Sequence, residues 1–171
     1  LRALDRLLTA CRGFLPLHTI VNHKTLDPRD PSSAPVVQLE TAMGAAVSVF
    51  DRSAAVRVPR SRFSPVKNTD DLLAVRSDAY RLTDDARVEL VAKRERPPLI
   101  SLDGRFYRMI DDFEARFPFG PPSLRRCDSL AVSGDVFFEA DVIAIGDVTV
   151  ETTGHPGIVA AGTTLSGVRE L

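Results

Sequence analysis

The 171-residue sequence has no tryptophan, only two cysteines and no apolar run near the roughly 18 residues that a membrane span needs. Cys11 and Cys127 are far apart and belong to no CxxC or Cys/His cluster, which excludes a disulfide framework and a zinc site. Asp5 and Arg6 interrupt the apolar N-terminal residues, so no export signal is indicated. These absences predict a soluble cytoplasmic protein with reduced thiols and no membrane partner.

An excess of basic residues is also missing. Lys and Arg number 22 against 23 Asp and Glu, a net charge of −1 that argues against a nucleic-acid partner. The charge is unevenly spread, because residues 1–127 carry 21 basic and 16 acidic side chains whereas 128–171 carry one and seven. We therefore expect a compositional boundary near Cys127, with a connection at Pro121 and Pro122. The length suits one full domain or one and a half.

Hydrophobic spacing outlines the first part of the chain. A proline-rich exposed loop is expected at 27–35, and 54–66 should be extended. Asn68 or Thr69 followed by two aspartates predicts an N-terminal cap for a short helix through Val75. The other predicted elements are a helix over 1–11 that Gly13 ends, a buried strand over 15–21, a helix over 36–51 with Glu40 in its first turns, and an amphipathic helix over 106–117.

The last 44 residues follow a period of six. Asp-Val pairs recur at 135–136, 141–142 and 147–148, and Val159 and Leu165 are again six residues apart. This period matches neither a helix nor a hairpin, and it is typical of hexapeptide repeats in a parallel β-helix. An ordinary set of sandwich strands is the alternative.

Complete catalytic motifs are absent: the sequence has no GxGxxG, GxxxxGK[ST], HExxH or GxSxG. The most suggestive residues are Asn22 and Lys24, which follow a predicted strand where α/β proteins collect ligands. Lys24 can meet a phosphate as a point charge, although a solvated surface lysine is the commoner case. A basic run of Arg57, Arg60, Arg62 and Lys67 could attract an anion, or could be a solvated strand face.

The remaining polar candidates are weaker. Asp27 and Asp30 could help to hold Mg²⁺, but acidic residues in a proline-rich loop are usually solvated. His18 lies among apolar residues and is expected to be a core histidine, His23 has no partner in the sequence, and His155 is expected to be exposed.

Five segments together resemble a known family. They are NHKTLD at 22–27, QLETAMGAA at 38–46, VPRSRFSPVK at 58–67, DLL at 71–73 and DSLAVSGDV at 128–136. Their order and spacing are similar to the C-terminal part of UTP–glucose-1-phosphate uridylyltransferases. The resemblance covers nearly the whole chain, which makes it more specific than any one motif.

The resemblance implies an α/β fold: the C-terminal part of a Rossmann-like nucleotidyltransferase domain over 1–127, then a left-handed parallel β-helix over 128–171. It implies an enzyme that converts UTP and glucose 1-phosphate to UDP-glucose and pyrophosphate. Mg²⁺ would arrive with the substrate phosphates and be held mostly by a preceding N-terminal part, with no metal ligand in this chain. Lys24 would be catalytic and would contact the phosphates of the sugar nucleotide, and Asn22 and Lys67 would bind substrate.

Several features depart from that pattern. His23 stands where the family usually has Pro, and Ser64 and Asn68 stand where Leu and Thr are common. The family's glycine-rich nucleotide loop would precede Leu1, so the chain is expected to be a fragment that does not turn over alone. The alternatives are a non-catalytic module that forms homo-oligomers through the β-helix, a hexapeptide acyltransferase, and a pyrophosphorylase for another UDP-sugar.

Overall fold

A computed structural model describes residues 1–59, 64–91 and 94–171. The chain divides into two compact units, Leu1–Arg57 and Val58–Leu171. No helix in the described part of the chain is long and apolar enough to cross a membrane.

The first unit is built from a helix and a hairpin. Helix α1 spans Arg2–Ala10, and strands β1, Thr19–Thr25, and β2, Pro35–Thr41, pair antiparallel. A 3₁₀ helix over Met43–Val49 follows. All of residues 1–57 are described, and none of their side chains is buried. The unit therefore has no closed core of its own.

The prediction of a helix over 36–51 is wrong. Residues up to Thr41 belong to β2, because the β-branched pair Val36 and Val37 suits a strand that β1 can pair with. The three-to-four spacing of apolar residues was compatible with a helix, but tertiary pairing decides between the two periods. The predicted strand over 15–21 is also displaced, since β1 begins at Thr19.

In the second unit, helix α2 spans Thr69–Arg76 as the capping pattern predicted. The side chain of Asn68 accepts a hydrogen bond of 3.0 Å from the Asp71 amide and so satisfies a free N–H of the first turn. A small antiparallel hairpin follows, with β3 at Tyr80–Leu82 and β4 at Val88–Leu90.

The single helix predicted over 106–117 is two helices. α3 spans Gly104–Tyr107 and α4 spans Ile110–Arg116, and Met109 between them has extended backbone angles. The aromatic spacing nevertheless identified core residues, because Phe113 and Phe117 are buried, and Phe117 stacks on Phe138 with ring centroids 4.9 Å apart.

Parallel strands dominate the rest of the unit, which makes the fold mixed α/β. One sheet has the order β10-β8-β6-β5 and a second pairs β7 with β9, and every neighbouring pair is parallel. The strands are β5 Leu99–Leu102, β6 Ser123–Ser133, β7 Val136–Phe138, β8 Ile143–Glu151, β9 Gly157–Val159 and β10 Thr164–Glu170.

The six-residue repeat marks core positions. All of its aliphatic members are at most 3% exposed: Leu130, Val136, Val142, Val148, Val159 and Leu165. The compositional boundary at Cys127 falls within β6, and Pro121 and Pro122 lie in the connection that leads to it. The division into domains at 127 and 128 stays a prediction.

Asp103 ties α3 to the turn after β6. Its carboxylate accepts hydrogen bonds from the Arg105 amide at 3.0 Å and from the Gly134 amide at 3.0 Å. The Arg105 guanidinium beside it, 2.6 Å away, holds the pKa of this carboxyl well below its usual range. Because the pKa is lower in the folded state, ionised Asp103 stabilises the fold at neutral pH, and this contribution is lost as the pH falls below the unfolded value of about 4.

Replacing Asp103 with asparagine should therefore lower the unfolding free energy by about 1–2 kcal/mol at pH 7. Chemical denaturation at several pH values should show the difference from wild type shrinking once the pH is below about 4. Asp85→Asn is the control, because Asp85 forms an exposed ion pair with Arg87 and should matter far less. A difference that stays constant down to acidic pH would rule out a charge-dependent role for Asp103.

Candidate functional site

The β1–β2 hairpin carries a polar face. Asn22 lies directly opposite Gln38, and Lys24 follows two positions along β1. Because side chains alternate along a strand, Asn22 and Lys24 share one face with Gln38 and Glu40 of β2. Two of the predicted site residues are thus brought together.

The four side chains form a connected hydrogen-bond chain. Lys24 donates from Nζ to Oε1 of Gln38 at 2.6 Å, and Gln38 donates from Nε2 to Oε2 of Glu40 at 3.2 Å. Asn22 donates from Nδ2 to Oε1 of Glu40 at 2.9 Å. The network holds the Lys24 side chain along the strand instead of leaving it free to sample solvent.

The Lys24 ammonium keeps donors available for a ligand. It is exposed, and among the described residues no carboxylate lies within ion-pair distance of it. An ammonium has three N–H donors, of which Gln38 takes one. The remaining donors and the full positive charge can meet the oxygens of a phosphate.

Gln38 and Glu40 were not recognised as site residues from the sequence. The helix prediction placed Glu40 in a first helical turn, remote from Asn22. The signal that was available is the alternation of polar Gln38 and Glu40 with apolar Val37 and Leu39, which is the period of a strand.

Lys67 belongs to the second unit, where it precedes α2. Its backbone amide donates to Oδ2 of Asp71 at 2.9 Å, and its side chain is exposed. Asn68, Asp70 and Asp71 already surround the first turn of α2, so this helix end is internally satisfied. A substrate contact by Lys67 stays a prediction. Of the basic run, Arg60 and Arg62 lie outside the described residues.

The loop between β1 and β2 does not fit a magnesium site. Asp27 accepts from the Arg29 amide, and Asp30 accepts from both the amide and the hydroxyl of Ser32. These hydrogen bonds lower the pKa of Asp30 and occupy one oxygen, Oδ1, of each carboxylate. No group of three His, Cys, Asp or Glu side chains in the described ranges could hold a metal ion, so we assign no ligand here.

The histidines and cysteines add no further site. His18 is exposed, so its predicted core position is wrong, since residues 1–57 enclose no core. His23 and His155 are exposed as well. Both cysteines are free, and burial raises the pKa of the Cys127 thiol to about 11, which keeps it protonated and unreactive at neutral pH.

Comparisons with known proteins agree on one family. The family model described as UTP--glucose-1-phosphate uridylyltransferase matches residues 1–144. The enzyme of that name from Solanum tuberosum is 43% identical over 151 residues, which is 88% of this chain and 30% of the relative. The enzyme of that name from Saccharomyces cerevisiae is 39% identical over 170 residues, which is 98% of this chain and 33% of the relative.

Solved structures give the same result. A UDP-glucose phosphorylase from Trypanosoma brucei superimposes with a TM-score of 0.92 at 47% identity, over 99% of this chain and 37% of that one. A variant of UDP-glucose pyrophosphorylase from Leishmania major in complex with UDP-glucose gives a TM-score of 0.85 at 40% identity. The match covers 99% of this chain and 36% of that one. The chain thus spans about a third of the length of its relatives. With a family match over most of its residues and a shared fold, the chain belongs to the UTP–glucose-1-phosphate uridylyltransferase family.

Proposed function

We propose that this chain is part of an enzyme that converts UTP and glucose 1-phosphate into UDP-glucose and pyrophosphate, and that Lys24 contacts the phosphates of the sugar nucleotide. The observation that carries the proposal is the exposed Lys24 ammonium, held by Gln38 on the polar face of the hairpin, in a chain of this family. Lys24 and Asn22 are the substrate-binding residues that we assign to the hairpin. Lys67 is a further proposed contact.

The role of Lys24 follows from the charge changes of the reaction. A phosphate oxygen of glucose 1-phosphate forms a bond to the α-phosphorus of UTP, and the bond from that phosphorus to the pyrophosphate oxygen breaks. Negative charge accumulates on the oxygens around the α-phosphorus and on the leaving group during this exchange. A preorganised cation beside those oxygens stabilises the transition state more than the separated substrates.

The opposite face of the hairpin has the character of a contact surface for another part of the same enzyme. Val21, Val37 and Leu39 point away from Lys24 and are 52%, 55% and 66% exposed. Contiguous exposed apolar side chains are costly in water and usually mark a contact surface. We propose that the remaining two thirds of the enzyme cover this face and supply the nucleotide loop and the magnesium ligands.

For the second unit, we propose that residues 128–171 form a left-handed β-helix. Leu130 pairs with Val148, which lies 18 residues or three hexapeptides further on, so the repeat fits one turn of such a helix. Strand β10 lies at the edge of its sheet and exposes Val168 at 71%. A second copy of the chain can pair with an open edge of this kind, which is the observation that favours oligomerisation as a second function.

The activity is tested by comparing the 171-residue chain with the complete enzyme that contains it, in a coupled assay of pyrophosphate release. The complete enzyme should consume UTP and glucose 1-phosphate, whereas the chain alone should show no turnover. One or two cations do not supply the alignment and charge stabilisation that the transfer needs.

Turnover by the isolated chain would overturn the assignment of the nucleotide loop to the rest of the enzyme. An inactive complete enzyme would overturn the proposed catalytic function and leave oligomerisation as the remaining function. Light scattering on the same samples measures the oligomeric state separately.

A further inference from the structure

A basic cavity lies in the second unit, remote in sequence from the β1–β2 hairpin. It measures about 750 Å³ and is formed by the segment that precedes β5 and by the first half of β6. Four arginines and two carboxylates are among its lining residues: Arg94, Arg96, Arg125, Arg126, Glu95 and Asp128. These groups carry a net charge of +2, although the whole chain is slightly acidic.

An irregularity in β6 places two consecutive arginines on the same side. In a regular strand one of Arg125 and Arg126 would point inward, because successive side chains alternate. The pairing of β6 with β8 shifts register on both sides of Arg126, which is the mark of a β-bulge. Both arginines are exposed as a result, while Leu124 and Cys127 on either side are buried.

Arg94 holds this bulge in place. Its guanidinium donates from Nη1 to the carbonyls of Leu124 and Arg125, at 3.2 and 3.0 Å, and from Nη2 to that of Cys127 at 2.7 Å. These acceptors are neutral, so the positive charge of Arg94 is not cancelled by an ion pair. One side chain thus fixes the two arginines and adds its own charge to the cavity.

The other three arginines of the cavity differ from Arg94. Among the residues that the structure describes, the guanidinium groups of Arg96, Arg125 and Arg126 make no hydrogen bond or ion pair. Other arginines of this unit are paired, for example Arg87 with Asp85, Arg105 with Asp103 and Arg116 with Asp135. Planar guanidinium groups that line one cavity without partners can donate to the several charged oxygens of a phosphate chain.

We propose that this cavity binds a small molecule carrying a di- or triphosphate group, through Arg96, Arg125 and Arg126. Linked phosphates offer more oxygens and more negative charge than a single phosphate, so they can satisfy three guanidinium groups more fully. Nucleic acid is the less suitable ligand, because the chain has a net charge of −1 and its residues beyond Asp128 are acidic. The ligand is either free pyrophosphate or the phosphate chain of a nucleotide.

The test is a titration of the isotope-labelled 171-residue chain with phosphate, pyrophosphate and UTP, followed by NMR at fixed ionic strength. Pyrophosphate and UTP should shift the amide signals of residues 94–96, 99 and 125–128 with saturation, and phosphate should bind more weakly. Equal affinity for pyrophosphate and UTP would show that the cavity recognises the phosphate chain alone. Tighter binding of UTP would show that it recognises a nucleotide.

The double variant Arg125→Gln plus Arg126→Gln should lose affinity about tenfold or more, as expected for the loss of charged hydrogen bonds. Arg108→Gln plus Arg169→Gln is the matched control, because these arginines are exposed and lie outside the cavity lining, and it should retain wild-type affinity. Saturable shifts that survive in the Arg125 and Arg126 variant, or no shifts with either polyphosphate, would overturn the proposal.

Discussion

Replacing Lys24 with alanine in the complete enzyme should lower kcat by about 10²–10³-fold, the range seen when one donor to transition-state charge is removed. KM for UTP and glucose 1-phosphate should rise by a smaller factor, because the contact strengthens as charge accumulates in the transition state. Steady-state kinetics with each substrate varied in turn measures both quantities.

Two control variants separate charge from structure. Lys24→Arg keeps the charge and should retain part of the activity, although a planar guanidinium does not replace an ammonium in the same position. Arg108→Ala should leave kcat nearly unchanged, since Arg108 is exposed and belongs to the second unit. An unchanged kcat in Lys24→Ala would remove the catalytic role of this lysine.

Replacing Gly134 with alanine should destabilise the second unit by about 3 kcal/mol or more, through backbone strain and overpacking together. Gly134 has φ of +92°, a conformation that favours glycine, and its amide donates to Asp103. A Cβ at this position would collide with the carbonyl oxygen of Thr152 and lie 2.7 Å from its Cγ2. The neighbour is backbone of the adjacent turn, which has little freedom to move away.

Gly162→Ala is the matched control for this variant. Gly162 has φ of +71°, but nothing lies within 4 Å of the place where its Cβ would be, so only the strain of about 1–2 kcal/mol is expected. Urea denaturation followed by circular dichroism gives both values. Equal losses in the two variants would show that the approach of Thr152 to Gly134 contributes nothing.

Locally encoded features were predictable from the sequence. The Asn68 cap depends on residues within three positions of it. The six-residue repeat is visible because a buried aliphatic residue recurs at a fixed spacing along the chain. In both cases neighbouring residues hold the information. Lys24 is a different case: it was expected to follow a strand, whereas it lies within β1 of an antiparallel hairpin.

Features that depend on distant partners were not predictable. The spacing of apolar residues from 36 onward is compatible with a helix, and pairing with β1 decides in favour of the strand at 36–41. The link from Lys24 to Gln38 follows from that pairing, so the same error concealed both partners in β2. The arginine-lined cavity depends on a bulge that Arg94 fixes from about 30 residues away in the sequence. A contact over that separation leaves no local pattern in the sequence.

The most direct test of the account is the structure of the complete enzyme with UDP-glucose bound. We expect Nζ of Lys24 within about 3 Å of a phosphate oxygen, the distance of a charge-assisted hydrogen bond. An ammonium that remains turned toward Gln38, with the diphosphate bound elsewhere and solvent between them, would contradict it.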